Sequence, residues 1–350
     1  MPAVTNGFGT TRSGGAPPAD MPSDRTFVTE LATGLGMFGD DDLDIVMVRR
    51  PSAFVSLSSG DWDRLSDLWS GHQYGAEFVG GFLNGRAFLA AADALNGRTP
   101  RIVEWTGGRR SPGDEVVPSD LRIDHVYLVS CKYLSGILHN PSPARLVDGL
   151  LSKAPVDDAR DWYERVAPAE YQELYEICAE DDPGLPELAT EMTTAERRGA
   201  AVRLRSGWPA GGVEAYERLC RTVSQATADA WAAAIRSGSA ENAMWRLLRI
   251  GSAPYFVLGS NPSGAMRLRV DTPWDWRQAY RFRRLQVEPQ QGGQPRVGWS
   301  VLYEDRRTHE ERVVRGHVEI RWSHGRFAQP PEAKVYLDSR HEDVPGYHGL

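Results

Sequence analysis

The chain has 350 residues, of which 41% are hydrophobic and 25% charged, and its formal net charge is -7. These values are typical of a folded globular protein with one large core or two domains. The acidic balance excludes a uniformly basic nucleic-acid coat, although it is compatible with a local basic cleft.

The N-terminus, the apolar runs and the cysteines together predict a cytoplasmic protein. Residues 1–25 are rich in Gly, Pro, Ser and Thr and lack the apolar core of a secretory signal, so we expect a disordered tail. No window approaches about eighteen apolar residues, so we expect no membrane span. Cys131, Cys178 and Cys220 are widely spaced, which fits neither a zinc site nor a disulfide framework and favours a reducing compartment.

Residues 26–150 are predicted to form a core that contains both helices and strands. The segment "DLDIVMVRR" indicates a short strand or a helix end, and residues 60–98 read as helical up to the Asn96-Gly97 turn. Three strand-like segments follow, at 101–107, 120–124 and 126–134. The last two are expected to pair as a hairpin through Asp124-His125.

The rest of the chain divides by pattern into two further parts. Residues 151–250 read as a helical segment, and residues 251–350 read as a β-rich domain with Gly, Gln and Pro in its turns. The predicted fold class is therefore α+β, with a mixed sheet flanked by helices, then the helical segment and the β-rich domain.

One short stretch, "SDLRIDHVYLVSCKYL" at 119–134, contains an unusual lysine. Only 3 of the 40 Lys and Arg residues are lysines, and Lys132 is one of them. Because alternate strand residues face the same way, Ser130 and Lys132 share a face and Cys131 points to the other. Asp120 opens the preceding strand, so its carboxylate is expected near the same end of the sheet.

A carboxylate and an ammonium at the rim of a sheet suit metal-assisted hydrolysis of a phosphodiester. The carboxylate helps to hold Mg²⁺, and the metal activates a water molecule and polarises the phosphate. Lysine suits this role better than arginine because it is a compact charge whose pKa shifts readily.

The order of helix, strand, turn-rich loop, strand beginning with Asp and apolar strand ending in x-x-Lys resembles the PD-(D/E)XK nuclease superfamily. The resemblance covers about residues 60–150. It implies a restriction-endonuclease-like mixed sheet and a DNA endonuclease of restriction-modification or phage-defence type. The implied cofactor is Mg²⁺, which Mn²⁺ can replace.

Two half-motifs carry this resemblance. Ser119-Asp120 matches the PD half, which implies that Asp120 is a metal ligand. The stretch from Ser130 to Lys132 matches the (D/E)XK half, which implies that Lys132 is the catalytic lysine and that the Cys131 carbonyl is a further metal ligand.

Ser130 stands where the family usually has an acid, so a neighbouring element is expected to supply the missing carboxylate. Glu77 is the first candidate, on a helical face whose Gly80 and Gly81 would let the sheet approach. Glu104, in the preceding strand, is the second. The competing interpretation is an ordinary hairpin with a surface salt bridge, in which Glu77 is an exposed acid near a helix N-terminus.

A second stretch near the C-terminus competes for the role of the reacting centre. Glu332-x-Lys334 matches the (D/E)XK letters better than Ser130-x-Lys132 does. However, Pro330-Pro331 directly precedes it, so no apolar strand leads into it. An edge strand without chemistry is the expected alternative.

Arginine and aromatic residues are dense between residues 266 and 326, which predicts a DNA-recognition surface. The candidate DNA contacts are Arg281, Arg283, Arg284, Arg321 and Arg326. A solvated sheet face is the alternative. The predicted partner is double-stranded DNA, and a homodimer would supply two active sites for two strands. The second function considered is a catalytically weak or inactive nuclease-like scaffold that serves a methyltransferase or helicase partner.

Overall fold

The computed structural model describes residues 22–39, 42–107, 119–133, 136–147, 161–261 and 264–350. The tail predicted over residues 1–25 lies outside these residues as far as residue 21, and the first helix begins at Asp24. No helix in the described ranges has the length and apolar character needed to cross a membrane.

The described residues contain helices in all three predicted parts of the chain. They are α1 (Asp24–Gly36), α2 (Leu43–Arg49), α3 (Ser59–Ser70), α4 (Gly75–Ala90), α5 (Pro143–Val147), α6 (Trp162–Val166), α7 (Pro168–Ala179), α8 (Thr194–Arg203), α9 (Gly212–Ser237), α10 (Ala240–Leu247) and α11 (Pro273–Ala279).

The strands fall into an early group and a late group. They are β1 (Phe54–Val55), β2 (Val103–Trp105), β3 (Leu121–Ile123), β4 (Tyr127–Tyr133), β5 (Ile137–His139), β6 (Tyr255–Asn261), β7 (Gly264–Val270), β8 (Tyr280–Gln290), β9 (Arg296–Asp305), β10 (Glu311–Arg321), β11 (Glu332–Leu337) and β12 (Tyr347–Gly349).

The segment "DLDIVMVRR" forms helix α2 rather than a strand. Its buried residues Leu43, Val46 and Met47 recur at helical spacing, and the Asp42 side chain caps the first turn by accepting from the Asp44 N–H at 2.8 Å. The stretch read as one helix over 60–98 is two helices, because the chain turns between α3 and α4 with a left-handed backbone at Tyr74 (φ 58°).

The first sheet has seven strands in the order β1-β2-β3-β4-β6-β7-β12 and mixes parallel with antiparallel pairs. This confirms the α+β class and the mixed sheet. The predicted hairpin is also present: β3 pairs antiparallel with β4, and the connecting Asp124 and His125 have φ of 52° and 58°. Two successive positive φ angles are those of a tight hairpin turn.

The second sheet has five strands in the order β5-β11-β10-β9-β8. Each sheet combines strands from both sides of the boundaries predicted at 150 and 250. Strands β6, β7 and β12 from the C-terminal part complete the first sheet, and β5 from the N-terminal part pairs with β11 in the second. Long-range strand pairing, which local pattern does not encode, produces this exchange.

The seven-stranded sheet is buried on both faces near its centre. Along β6, Phe256 and Leu258 belong to the hydrophobic core around α1 and α4, which we call the N-terminal core. The alternating Tyr255 and Val257 contact the core of the helical segment and second sheet. The continuous apolar run of β6 therefore reflects two covered faces.

Helices α1 and α4 approach each other through glycine. A Cβ atom added at Gly85 would lie 2.0 Å from the Thr33 carbonyl oxygen, and one at Gly81 would lie 2.9 Å from the Thr29 carbonyl oxygen. Both distances are shorter than real contacts allow, so the two helix backbones touch directly. The small residues on α4 therefore admit α1, not the sheet as the sequence suggested.

We expect Gly85→Ala to lower the free energy of unfolding by about 1–3 kcal/mol, because the added methyl group must push α1 away from α4. Gly80→Ala is the matched control, since a Cβ there meets nothing within 4 Å. In a helix interior that change is expected to stabilise by up to about 1 kcal/mol. Urea unfolding of both variants checks the pair, and equal effects would contradict the contact.

Candidate active site

Asp120 lies at the open end of the β3–β4 hairpin, where backbone hydrogen bonds fix its position. Its N–H donates to the Val129 carbonyl at 2.8 Å, and its own carbonyl accepts from the Thr106 N–H at 3.1 Å. The Thr106 hydroxyl also donates to the Ser119 carbonyl at 2.7 Å. The carboxylate is therefore attached to a backbone that three strands hold in place.

The Asp120 carboxylate adds side-chain hydrogen bonds to the backbone hydrogen bonds of the hairpin. Its Oδ2 accepts the Cys131 N–H at 2.6 Å and the Ser130 hydroxyl at 3.3 Å. An acid at position 130 would repel Asp120, whereas the buried serine donates to it. The Ser130 hydroxyl therefore orients the Asp120 carboxylate. Ser130 does not itself provide the second acidic group of the half-motif.

Cys131 faces the N-terminal core, as strand alternation predicts. Burial, then the charges of Asp120 and Glu30, raise the pKa of its thiol, and its side chain is hydrogen-bonded to Thr33 on α1. A thiol whose pKa is raised is a poor nucleophile, so the side chain is structural.

Glu30, which the sequence interpretation did not select, supplies a second carboxyl group at this end of the sheet. It lies on α1, is only 6% exposed, and accepts the Trp105 indole N–H at 2.7 Å. Burial, and after it the charge of the neighbouring Asp120, raise the pKa of Glu30 to about 8, although the Trp105 hydrogen bond and the Lys132 charge oppose the rise. Glu30, Asp120 and Lys132 therefore act on one another electrostatically.

The sequence does carry a signal for Glu30. It is the only charged residue in the run from Phe27 to Phe38, and every residue of α1 from Phe27 to Gly36 is buried. A lone acid in a fully buried helix is rarely there for solubility, since a buried carboxyl group needs partners. Glu77 and Glu104 lie closer to Asp120 along the chain than Glu30 does, so sequence proximity favours them.

Lys132 and Ser130 lie on the face of β4 opposite to Cys131. They line a cavity of about 20 Å³, room for about one water molecule, together with Arg249, Tyr255 and His341. The Lys132 ammonium is nevertheless close enough to Glu30 and Cys131 to lower the pKa of both. The lysine thus lies where the end of the hairpin meets this cavity.

The two glutamates proposed as replacement acids have other contacts. Glu77 is buried and pairs with Arg25, its Oε1 lying 2.9 Å from the arginine Nε. Glu104 lies on β2 opposite Arg122, with 3.9 Å between the charged atoms, and alternates with the buried Val103 and Trp105. Glu30 has a different environment, because the charges of Asp120 and Lys132 both act on its pKa.

The competing Glu332-x-Lys334 stretch lies on β11, in the other sheet. Its two charges pair with each other at 3.7 Å, and Lys334 is opposite Glu319 on β10. Throughout the described ranges, no three His, Cys, Asp or Glu side chains come together as a metal-binding group. This stretch therefore shows a neutralised pair rather than an acid cluster.

The arginines predicted to contact DNA divide into two groups. Three make contacts within the chain: Arg283 pairs with Glu304, Arg321 lies 3.5 Å from Glu319, and the Arg326 guanidinium lies 4.1 Å from the centre of the Trp208 ring. Arg281 and Arg284 are exposed on β8. The basic composition of this segment is thus partly neutralised by the sheet itself.

Chemically, the end of the hairpin offers one carboxylate held by hydrogen bonds, one buried carboxyl group with a raised pKa, and one ammonium. Two carboxyl groups with a few water molecules are the usual protein contribution to a Mg²⁺ site. A cation between them would replace the proton that burial and repulsion keep on Glu30. The residues present therefore fit a divalent cation.

Comparison with known proteins assigns no family. The chain matches no protein-family model, and neither a curated protein nor a solved structure matches it.

The Glu30 proton makes stability depend on pH. The pKa is 4.5 ordinarily and about 8 in the fold, so between these values the folded state retains a proton that the unfolded chain releases. The contribution of this proton to the free energy of unfolding is complete below about pH 4.5. It is lost as the pH rises through about 8. We expect Glu30→Gln, which stays neutral and can still accept from Trp105, to exceed the wild type in free energy of unfolding at pH 8.

The same comparison near pH 4.5 should show little difference between Glu30→Gln and the wild type. Glu104→Gln, on a neighbouring strand and partly exposed, is the control and should alter stability little at either pH. Urea unfolding at both pH values measures these differences. A Glu30→Gln effect that is independent of pH would show that the pKa of Glu30 is the same in the folded and the unfolded chain.

Proposed function

We propose that this protein is a Mg²⁺-dependent DNA endonuclease with a PD-(D/E)XK centre on a restriction-endonuclease-like sheet. The observation that supports this proposal most is the position of Glu30, whose pKa responds to both Asp120 and Lys132. It supplies the acid that Ser130 does not.

In this proposal Asp120, Glu30 and the Cys131 carbonyl would hold the metal. Bound Mg²⁺, or Mn²⁺ in its place, supplies charge that polarises the phosphate and acidifies a water molecule. The chain's own contribution begins with Ser130 and the Cys131 N–H, which orient one carboxylate oxygen of Asp120 and leave the other for the ion.

Lys132 then acts on the substrate side. Its ammonium orients the attacking water and offsets the negative charge that grows on the phosphate oxygens. The water oxygen forms a bond to phosphorus as the water releases one proton to solvent, one P–O ester bond breaks, and the leaving alkoxide takes up a proton from solvent. An arginine would place its charge on a larger, planar guanidinium instead of the compact ammonium that fits this position.

Recognition of double-stranded DNA is assigned in part to the five-stranded sheet. The exposed Arg281 and Arg284 on β8 support this role more than Arg283, Arg321 and Arg326 do, because the latter three make contacts within the chain. A restriction or phage-defence role in the cytoplasm, and a homodimer that cuts both strands, complete the proposal.

Ser130 favours a second candidate function. A chain that keeps the fold but lacks the usual acid of the half-motif can serve as a catalytically weak or inactive DNA-binding scaffold for a methyltransferase or helicase. In that case Asp120 and Ser130 only close the hairpin, and the chain binds DNA without cutting it.

A cleavage assay with Mg²⁺ on unmodified plasmid and on phage DNA separates these functions. We expect wild-type cleavage, and a loss of about 10²-fold or more in Asp120→Asn, Glu30→Gln and Lys132→Ala, because each removes a group from the reacting centre. Lys334→Ala, which changes a lysine of the other sheet, is the matched control and should cleave like the wild type.

Other outcomes reassign the site. Cleavage lost only in Lys334→Ala would move the centre to β11, and cleavage that survives all three site variants would reject the proposed residues. Tight DNA binding by the wild type without cleavage of either substrate would favour the scaffold function.

A further inference from the structure

A buried glutamate holds an exposed arginine beside the candidate site. The Glu77 side chain is 6% exposed, whereas that of its partner Arg25 is 61% exposed, and the bond between them joins Arg25 Nε to Glu77 Oε1 at 2.9 Å. The Arg25 guanidinium also lies 5.6 Å from the centre of the Tyr133 ring. Tyr133 in turn is hydrogen-bonded to Glu77, so three side chains form one unit.

Fold stability alone explains this unit poorly. An ion pair with one exposed partner contributes between zero and about 1 kcal/mol, while burying a carboxylate has a cost. Arg25 also lies in the first turn of α1, where the helix dipole disfavours a cation. The clear effect of the unit is to fix the direction of a guanidinium whose outer edge faces solvent.

The location of Arg25 relates it to the reacting groups. It precedes Glu30 by five residues on α1, an axial separation of about 7.5 Å. Tyr133 follows Cys131 by two residues on β4, about 7 Å along the strand. Arg25 and Tyr133 therefore both lie about 7 Å beyond the residues at the end of the hairpin. This distance is close to the axial rise of two nucleotides in one DNA strand.

We propose that Arg25 binds a backbone phosphate of duplex DNA about two nucleotides from the phosphate that is cut, with Glu77 and Tyr133 as its positioning residues. This inference rests on the proposed nuclease function. Glu77 then has a role at the site without being a metal ligand: it orders the arginine before the substrate arrives, which reduces the entropy lost on binding.

The test measures binding of a fluorescent DNA duplex over a range of salt concentrations in EDTA, where a metal-dependent nuclease cannot cut. Each phosphate contact adds about one to the slope of log affinity against log salt concentration. We expect Arg25→Ala to weaken binding and lower that slope by about one. Arg25→Lys should restore the slope but not the full affinity, because lysine keeps the charge but lacks the planar guanidinium that can bind a phosphate through two N–H groups.

Two further variants separate a phosphate contact from a general effect on the fold. Arg218→Ala removes another arginine that pairs with a glutamate, Glu173 at 2.6 Å on the helical segment, and should leave the slope unchanged. Glu77→Gln leaves the Arg25 charge in place but loosens it, so we expect weaker binding with an unchanged slope. Thermal melting confirms that each variant is folded.

The outcomes distinguish this inference from the proposed function. Wild-type cleavage with an Arg25→Ala slope equal to that of the wild type would overturn the phosphate contact and leave the nuclease proposal standing. A wild type that neither binds nor cuts the duplex would overturn both. A lower slope in Arg25→Ala together with rescue by Arg25→Lys supports the contact.

Discussion

The direct backbone contact between α1 and α4 is the constraint on which the candidate site depends. Glycine at 81 and 85 removes the side chains that would separate the helices, so α1 is buried from Phe27 to Gly36. Glu30 is therefore carried out of water and against the end of the sheet. Its raised pKa is a consequence of this packing, because burial is the largest cause of the shift.

Two acids at the end of one hairpin represent a cost to the fold that a bound cation would relieve. Asp120 is stabilised by the Cys131 N–H and the Ser130 hydroxyl, whereas Glu30 has one indole N–H and a hydrophobic surrounding. Buried carboxyl groups whose pKa is raised by their surroundings, as that of Glu30 is, concentrate at functional sites. Ser130 is consistent with this arrangement, since its hydroxyl donates to Asp120 while the second acid is carried by α1.

Ion pairs formed in the fold determine which of the charged residues in the sequence remain free to bind a partner. Glu77 was attractive as a ligand because of its place in the sequence, but the fold pairs it with Arg25. The arginine-rich β-sheet likewise pairs Arg283 with Glu304 across neighbouring strands, so part of its positive charge is satisfied internally. In both cases the partner is distant in sequence, and only the folded chain shows which cations still face solvent.

The sequence by itself determined the local features of this protein. Apolar alternation and the Asp124-His125 turn predicted the hairpin, and the two-residue period placed Cys131 opposite Ser130 and Lys132, because both depend on neighbours within a few positions. Tertiary structure alone decided that β6, β7 and β12 complete the first sheet, and that Glu30 approaches Asp120 across 90 residues of chain. The physical reason is that strand pairing and helix burial are chosen by long-range packing, which local periodicity does not record.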